Sequence, residues 1–312
     1  MARIYDPYLN PLQLVEVNKV QLPQYISRFM DDYWLAERLS SWQQLPDGPY
    51  YQPWLPSDTI AQQFQNNAGQ LKATVINCQQ TIQIPFILDQ KQQNKYLPDY
   101  FIYEMSAAMN TLPVGNHYFM VIEVGDTGVV LLSEGFDLQA EQPDTLLLEY
   151  TNRVFYGNAV FETGFAPSIR LRGTLQLEDP VSKDTLYEDQ VLDMVMVLSK
   201  PYRLWQLTII NIPDWMVDKL NWVLGCSNLR IDGRFYTKNE GAKLTSQDAL
   251  GNGTLKTYKI EMREQLLRNS KITDTASNTN EALSIVLNST SKGFADTSTD
   301  ASSSVVQFLD VE

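Results

Sequence analysis

One histidine, His117, serves a chain of 312 residues, and cysteine is nearly as scarce, with Cys78 and Cys226 far apart. A lone histidine cannot build a multi-histidine or Cys-His-His metal site, so no metal is expected. A Ser-His-Asp triad would have to run through His117, and no G-x-S-x-G elbow accompanies it. His117 lies in the strand-like run GNHYFMV and reads as a hydrogen-bonded structural residue. Two distant thiols make no disulfide framework. They read as small buried hydrophobes, with a bridge between them left open. Glycine-rich phosphate loops of either common pattern are missing, as is the EF-hand loop. No cofactor is therefore expected.

Long apolar runs are missing too, and none approaches the ~18 residues of a membrane span. The opening MARIYDPYLNP lacks the basic-then-apolar order of a signal peptide. The expectation is a chain made in the cytoplasm with no encoded export route and no membrane insertion. Basic residues are outnumbered, giving a net charge of −13 that disfavours phosphate backbones and argues against a nucleic-acid partner. Scattered acids always offer pairs for glycoside hydrolysis, here Asp31, Asp32, Asp58, Asp99, Glu104 and Asp137. Without a spacing signal they assign no catalytic residue, and the chain is read as non-enzymatic.

What is present is β rhythm: short aromatic and β-branched runs cut by Pro, Gly, Asn and Asp, with Gln dense over 43–93. LKATVINC (71–78) and TIQIPFIL (81–88) look like a hairpin, although Gln79-Gln80 suits a longer loop better than a tight primed turn. TIAQQFQ reads as a polar strand or a short helix, residues 96–112 as a helix or a strand with a turn, and 25–39 lean to strand. PVGNHYFMVIEVG (113–125) is a strand after a turn. A polar boundary falls near 137–145. Asp214 is expected to cap a helix over 214–224, in which Met216, Leu220, Val223 and Leu224 share a face before Gly225. Asp232-Gly233 marks a hairpin over 228–237. Tyr258, Ile260 and Met262 alternate on one face of a strand. Trp205, Trp215 and Trp222 are expected in the core of the second half.

The fold expectation is mainly β: two β-sandwich-like domains, 1–140 and 141–269, with a short helix and hairpin in the second. An extended Ser/Thr-rich C-terminal arm over 270–312 follows. Its islands, Leu283, Ile285 and Leu287, then Val305, Val306, Phe308 and Leu309, are candidate strands for a neighbour's sheet. The plain alternative is a disordered tail. Tyr50, Tyr51 and Trp54 form a candidate binding or interface platform, against the plainer expectation of burial.

Two stretches carry a resemblance. YYQPWLPSDTIAQQFQ (50–65), followed by LKATVINC, is one. VLSKPYRLWQLTIINIPDWMVDKLNWVLGCSNLRIDGRFYTKNEG (197–241), closed by YKIEMRE, is the other. Together they resemble tail-associated structural proteins, distal-tail or baseplate-like, of phages and prophages of Bacteroidetes hosts. The resemblance spans residues 25–264 loosely and stops before the arm. It implies a virion tail subunit assembled in the host cytoplasm as a homo-oligomeric ring beside neighbouring tail proteins. A carbohydrate- or receptor-binding module touching a host surface glycan is the alternative. The family offers no catalytic residues to carry over.

Overall fold

The computed structural model describes residues 3–4, 6–24, 26, 50–67, 71–95, 97–125, 128–153, 155–178, 181–188, 194–247 and 255–265. The first half contributes β1 (Arg3–Ile4), β2 (Leu14–Asn18), β3 (Gln52–Trp54), β4 (Thr59–Asn66), β5 (Leu71–Asn77), β6 (Gln83–Phe86), β7 (Leu88–Gln93), β8 (Phe101–Ala108), β9 (Asn116–Val124), β10 (Val129–Ser133) and β11 (Phe136–Leu138). The second contributes β12 (Thr145–Thr151), β13 (Phe155–Tyr156), β14 (Ala159–Val160), β15 (Ser168–Leu177), β16 (Val181–Glu188), β17 (Met194–Tyr202), β18 (Leu204–Pro213), α1 (Asp214–Leu224), β19 (Asn228–Ile231), β20 (Arg234–Lys238), β21 (Thr245–Gln247) and β22 (Leu255–Glu264). The protein is mainly β, as its sequence rhythm implies.

Two sheets make up the first half. β1, β4, β8 and β7 form one, and β2, β10, β9, β11 and β3 form the other, extended by β5 and β6. Between them lies a core of Trp54, Ile60, Phe64, Val75, Met105, Tyr118, Met120 and Leu138. The polar-looking run TIAQQFQ is the strand β4, and residues 101–108 are a strand followed by a 3-10 turn at Met109–Thr111. β5 and β6 do pair as a hairpin, across a loop in which Gln80 takes a positive φ of 58°.

The second half closes on itself. β12, β15, β18, β22, β20 and β19 pair in a ring of six antiparallel strands, because β18 bonds β15 along one edge and β22 along the other. Strict alternation supplies the interior: β12 buries Leu146, Leu148 and Tyr150, and β22 buries Tyr258, Ile260 and Met262. Closure needs bends and close approach. β18 carries a register shift between Ile209 and Ile212, with Asn211 at φ 55°, and such bulges bend and twist a strand. Across from it, a Cβ at Gly173 would lie 2.3 Å from the Thr208 carbonyl oxygen, so only glycine lets β15 and β18 meet there. Asp232 (φ 47°) and Gly233 (φ 80°) form the tight turn that joins β19 to β20.

α1 buries Met216, Leu220, Val223 and Leu224, the face read from the sequence. Its start differs: Pro213 occupies the N-cap and Asp214 is the first helical residue. Proline suits that place because it has no N–H and a fixed φ. The tryptophans also divide. Trp215 is buried and Trp205 is half-buried edge-on to Tyr236, but Trp222 is 36% exposed and lies over Tyr8 and Tyr156. Residues 25–39, Ile26 apart, lie outside the described residues, as does the whole of 270–312 with the candidate arm strands at Leu283, Ile285, Leu287, Val305, Val306, Phe308 and Leu309.

No strand pairing joins the sheets before Leu138 to those after Thr145 among the described residues. The two sets are nevertheless held together. One hydrophobic cluster contains Val17, Phe119, Val121 and Leu132 from the first with Leu148, Ile169 and Leu220 from the second. Residues Met1–Leu267 form one compact unit.

Candidate functional site: a locked body with an unpaired hairpin

Beside the shared hydrophobic cluster, the seam between the two sets of strands carries a polar network. Arg170 of β15 meets Asp58 through two hydrogen bonds, Nε to Oδ2 at 2.6 Å and Nη2 to Oδ1 at 2.8 Å. Their side chains are 9% and 2% exposed, so this is a buried, bidentate pair. Arg170 also donates to Thr145 Oγ1 at 3.1 Å.

Beside it, β4 uses amides where a sheet would use backbone. Gln63 Nε2 donates to the Val160 carbonyl at 2.8 Å, and its Oε1 accepts from the Val160 N–H at 2.8 Å. The side chain thus satisfies β14 as a neighbouring strand would. Gln65 donates to the Asn158 carbonyl at 2.6 Å, and Asn94 supports Gln65 at 2.7 Å. Glu104 accepts from Gln63 and Thr163. The glutamine density seen in the sequence is, in β4, this lock.

The expected aromatic platform is not one surface. Trp54, in β3 beside β11, is fully buried in the first-half core, and Tyr50, just before β3, is 7% exposed and belongs to the cluster shared by both sets of strands. Those two residues therefore cannot stack on a sugar or a partner, which corrects the platform expectation. Tyr51 is half-buried and stacks on His117, with centroids 4.2 Å apart. His117 Nδ1 lies 3.3 Å from Asp137 Oδ1. Burial alone would raise the Asp137 carboxyl, but the neighbouring His117 ring and hydrogen bonds from Gln139 and Gln142 outweigh it and hold the carboxyl below its ordinary value. Asp58, Glu104 and Asp137 thus belong to three separate hydrogen-bond sets. Cys78 and Cys226 are free thiols, pushed up by burial to about 11 and about 12.

A surface aromatic group does exist elsewhere. Tyr8 and Trp222 stack with centroids 5.9 Å apart, and Tyr156 tilts against Trp222 at 5.0 Å. Gly225 makes room for it, since a Cβ there would sit 2.6 Å from the Tyr156 hydroxyl. No spacing signal ties Tyr8, Tyr156 and Trp222 together in the sequence.

The most distinctive element is β16–β17. Its strands pair with each other from Val181↔Tyr202 to Glu188↔Met194, and with no other strand among the described residues. It springs from the ends of β15 and β18, whose last bonds are Leu177↔Trp205 and Glu178 N–H to the Leu204 carbonyl at 2.9 Å. Two-stranded ribbons are marginal in water, and their outer edges offer rows of unpaired backbone groups. The isolation of this pair is not legible in its own sequence, because it depends on where the other strands find partners.

Among the described residues, no group of three or more metal-ligating side chains gathers, and no helix is long and apolar enough to cross a membrane. Comparison with protein-family models, with curated proteins and with solved structures found no match.

Proposed function

We propose that the chain is a structural subunit of a phage tail, connector or baseplate that assembles as a homo-oligomeric ring and docks neighbouring tail proteins. One observation carries the reading: the hairpin β16–β17 pairs with no other strand among the described residues, on a body whose two sets of strands are locked together. A ribbon of this kind is stabilised when another chain covers or extends it. Ring interfaces are heterologous, so an element that projects from one subunit can complete the next. The buried Asp58–Arg170 pair and the glutamine lock supply the stiffness that a building block needs. The resemblance of residues 50–65 and 197–241 to tail-associated proteins points the same way.

The test is a surgical replacement. Because the base of the hairpin is already paired, residues 179–203 can be exchanged for Asn-Gly, a two-residue turn, with the barrel retained. Native mass spectrometry and negative-stain microscopy should show rings for the parent and monomers for the variant. A parent that stays monomeric at the highest attainable concentration would overturn the reading.

A glycan-binding module is favoured by a different observation, the half-exposed group of Trp222, Tyr8 and Tyr156. Binding on a glycan array that is lost in Trp222→Ala would support it, and an array without hits would remove it.

A further inference from the structure

Two charged side chains from opposite halves of the chain are fully buried and hold the two ends of one short segment, residues 11–13. Lys219, on α1, is 0% exposed, and its Nζ donates to the Pro11 carbonyl at 2.6 Å. Glu134, between β10 and β11, is 0% exposed, and its Oε1 accepts from the Gln13 N–H at 3.2 Å. The Glu134 N–H in turn donates to the Gln13 carbonyl at 3.0 Å. Leu12, between the two gripped residues, is itself fully buried. Trp215, one turn before Lys219, places its ring 5.4 Å from the ammonium and meets Tyr50 edge-on.

We propose that Glu134 and Lys219 form a proton-sensitive clasp on residues 11–13, fastening α1 of the barrel to the lead-in of β2. β2 is a terminal strand of its sheet, so the clasp sets the position of an edge. The inference goes beyond the assembly reading and stands without it.

Chemistry supports the geometry. A buried carboxyl and a buried ammonium each resist ionisation, and each eases the other's charge. Burial raises Glu134 to about 7, against relief from Lys219 and the Gln13 N–H. Burial lowers Lys219 to about 8, against relief from Glu134 and Asp6. Around the pair stand Asp6 on the N-terminal segment, Tyr50 before β3 and Arg172 of β15, the last acting through Tyr50. With the carboxyl raised and the ammonium lowered by burial, both groups titrate closer to neutrality than ordinary ones, so the charge of the clasp changes with pH there.

The test is a carboxyl-carbon NMR titration of the full chain, with the Gln13 amide followed in parallel. Glu134 should titrate near neutrality, and the Gln13 amide should move with the same midpoint. In Lys219→Met the Glu134 midpoint should rise by a unit or more, about tenfold in proton affinity. Should that variant not fold, Glu134→Gln decides, because it keeps the acceptor for Gln13 and should abolish the neutral-range response of that amide. A Glu134 midpoint in the ordinary carboxylate range, or a Gln13 response that survives Glu134→Gln, would overturn the proposal.

Discussion

Removing the Asp58 carboxylate tests how the two sets of strands are held together. Asp58→Ala strips two charge-assisted hydrogen bonds from Arg170 and leaves a guanidinium that is only 9% exposed without its counter-charge. Breaking one side of a buried pair typically costs about 3–5 kcal/mol, most of it the penalty on the stranded charge. The Leu55 N–H, which donates to Asp58 Oδ2 at 2.8 Å, loses its acceptor as well and adds roughly 1 kcal/mol. At roughly 2–4 °C per kcal/mol, thermal unfolding should begin on the order of 10 °C lower. The double variant Asp58→Ala/Arg170→Met removes the stranded charge and should recover more than half of the loss. Calorimetry of the four proteins in the cycle measures this directly. A single variant within ~1 kcal/mol of the parent, or a double variant no better than the sum of the singles, would refute the reasoning.

Further outcomes are expected elsewhere. Gly173→Ala should destabilise the barrel by about 2–4 kcal/mol, because the added methyl meets the Thr208 carbonyl oxygen at 2.3 Å and backbone must move; chemical denaturation reads it. The folded-state value of Glu134, about 7, lies above its ordinary 4.5, so its stabilising contribution is complete below 4.5 and is lost as pH rises through 7. The parent should therefore gain roughly 3 kcal/mol relative to Glu134→Gln between pH 8 and 4.5, at about 1.4 kcal/mol per unit, in paired urea titrations. For Lys219 the value of about 8 lies below 10.5, so its contribution is present above 10.5 and lost as pH falls through 8, and Lys219→Met should flatten that alkaline limb. Maleimide should label Cys226 only after unfolding, since the thiol is buried and pushed up to about 12.

Local signals in the sequence read through well where the chemistry is local. Asp232-Gly233 demands positive φ at both positions and forms that turn. The helix over 214–224 follows from a 3.6-residue period, and β22 from a period of two. Pro53 suits the terminal position that β3 takes in its sheet, yet Trp54 beside it is fully buried, and no local signal distinguishes that from an exposed edge. The barrel closure was not legible at all, since it depends on β18 meeting both Leu175 and Ile260 at long sequence separation. Lys219 did leave a trace: it sits three residues after Met216 and four before Val223, on the apolar face of its own helix. Its partner Glu134 left none, because nothing in SEG at 133–135 shows that the carboxyl is buried. The run holding the glutamines of β4 reads as a polar strand or a short helix, and nothing in it shows that Gln63 and Gln65 serve a neighbouring backbone.

The hairpin also has a mechanical consequence. Its two strands lead back to β15 and β18 of the barrel wall, so tension along the ribbon pulls both the same way and loads the β12–β15 and β18–β22 ladders in shear. In that direction the rungs share the load and fail together, whereas a sideways pull opens them like a zipper, one after another. A joint built on this ribbon would resist stretching far better than peeling.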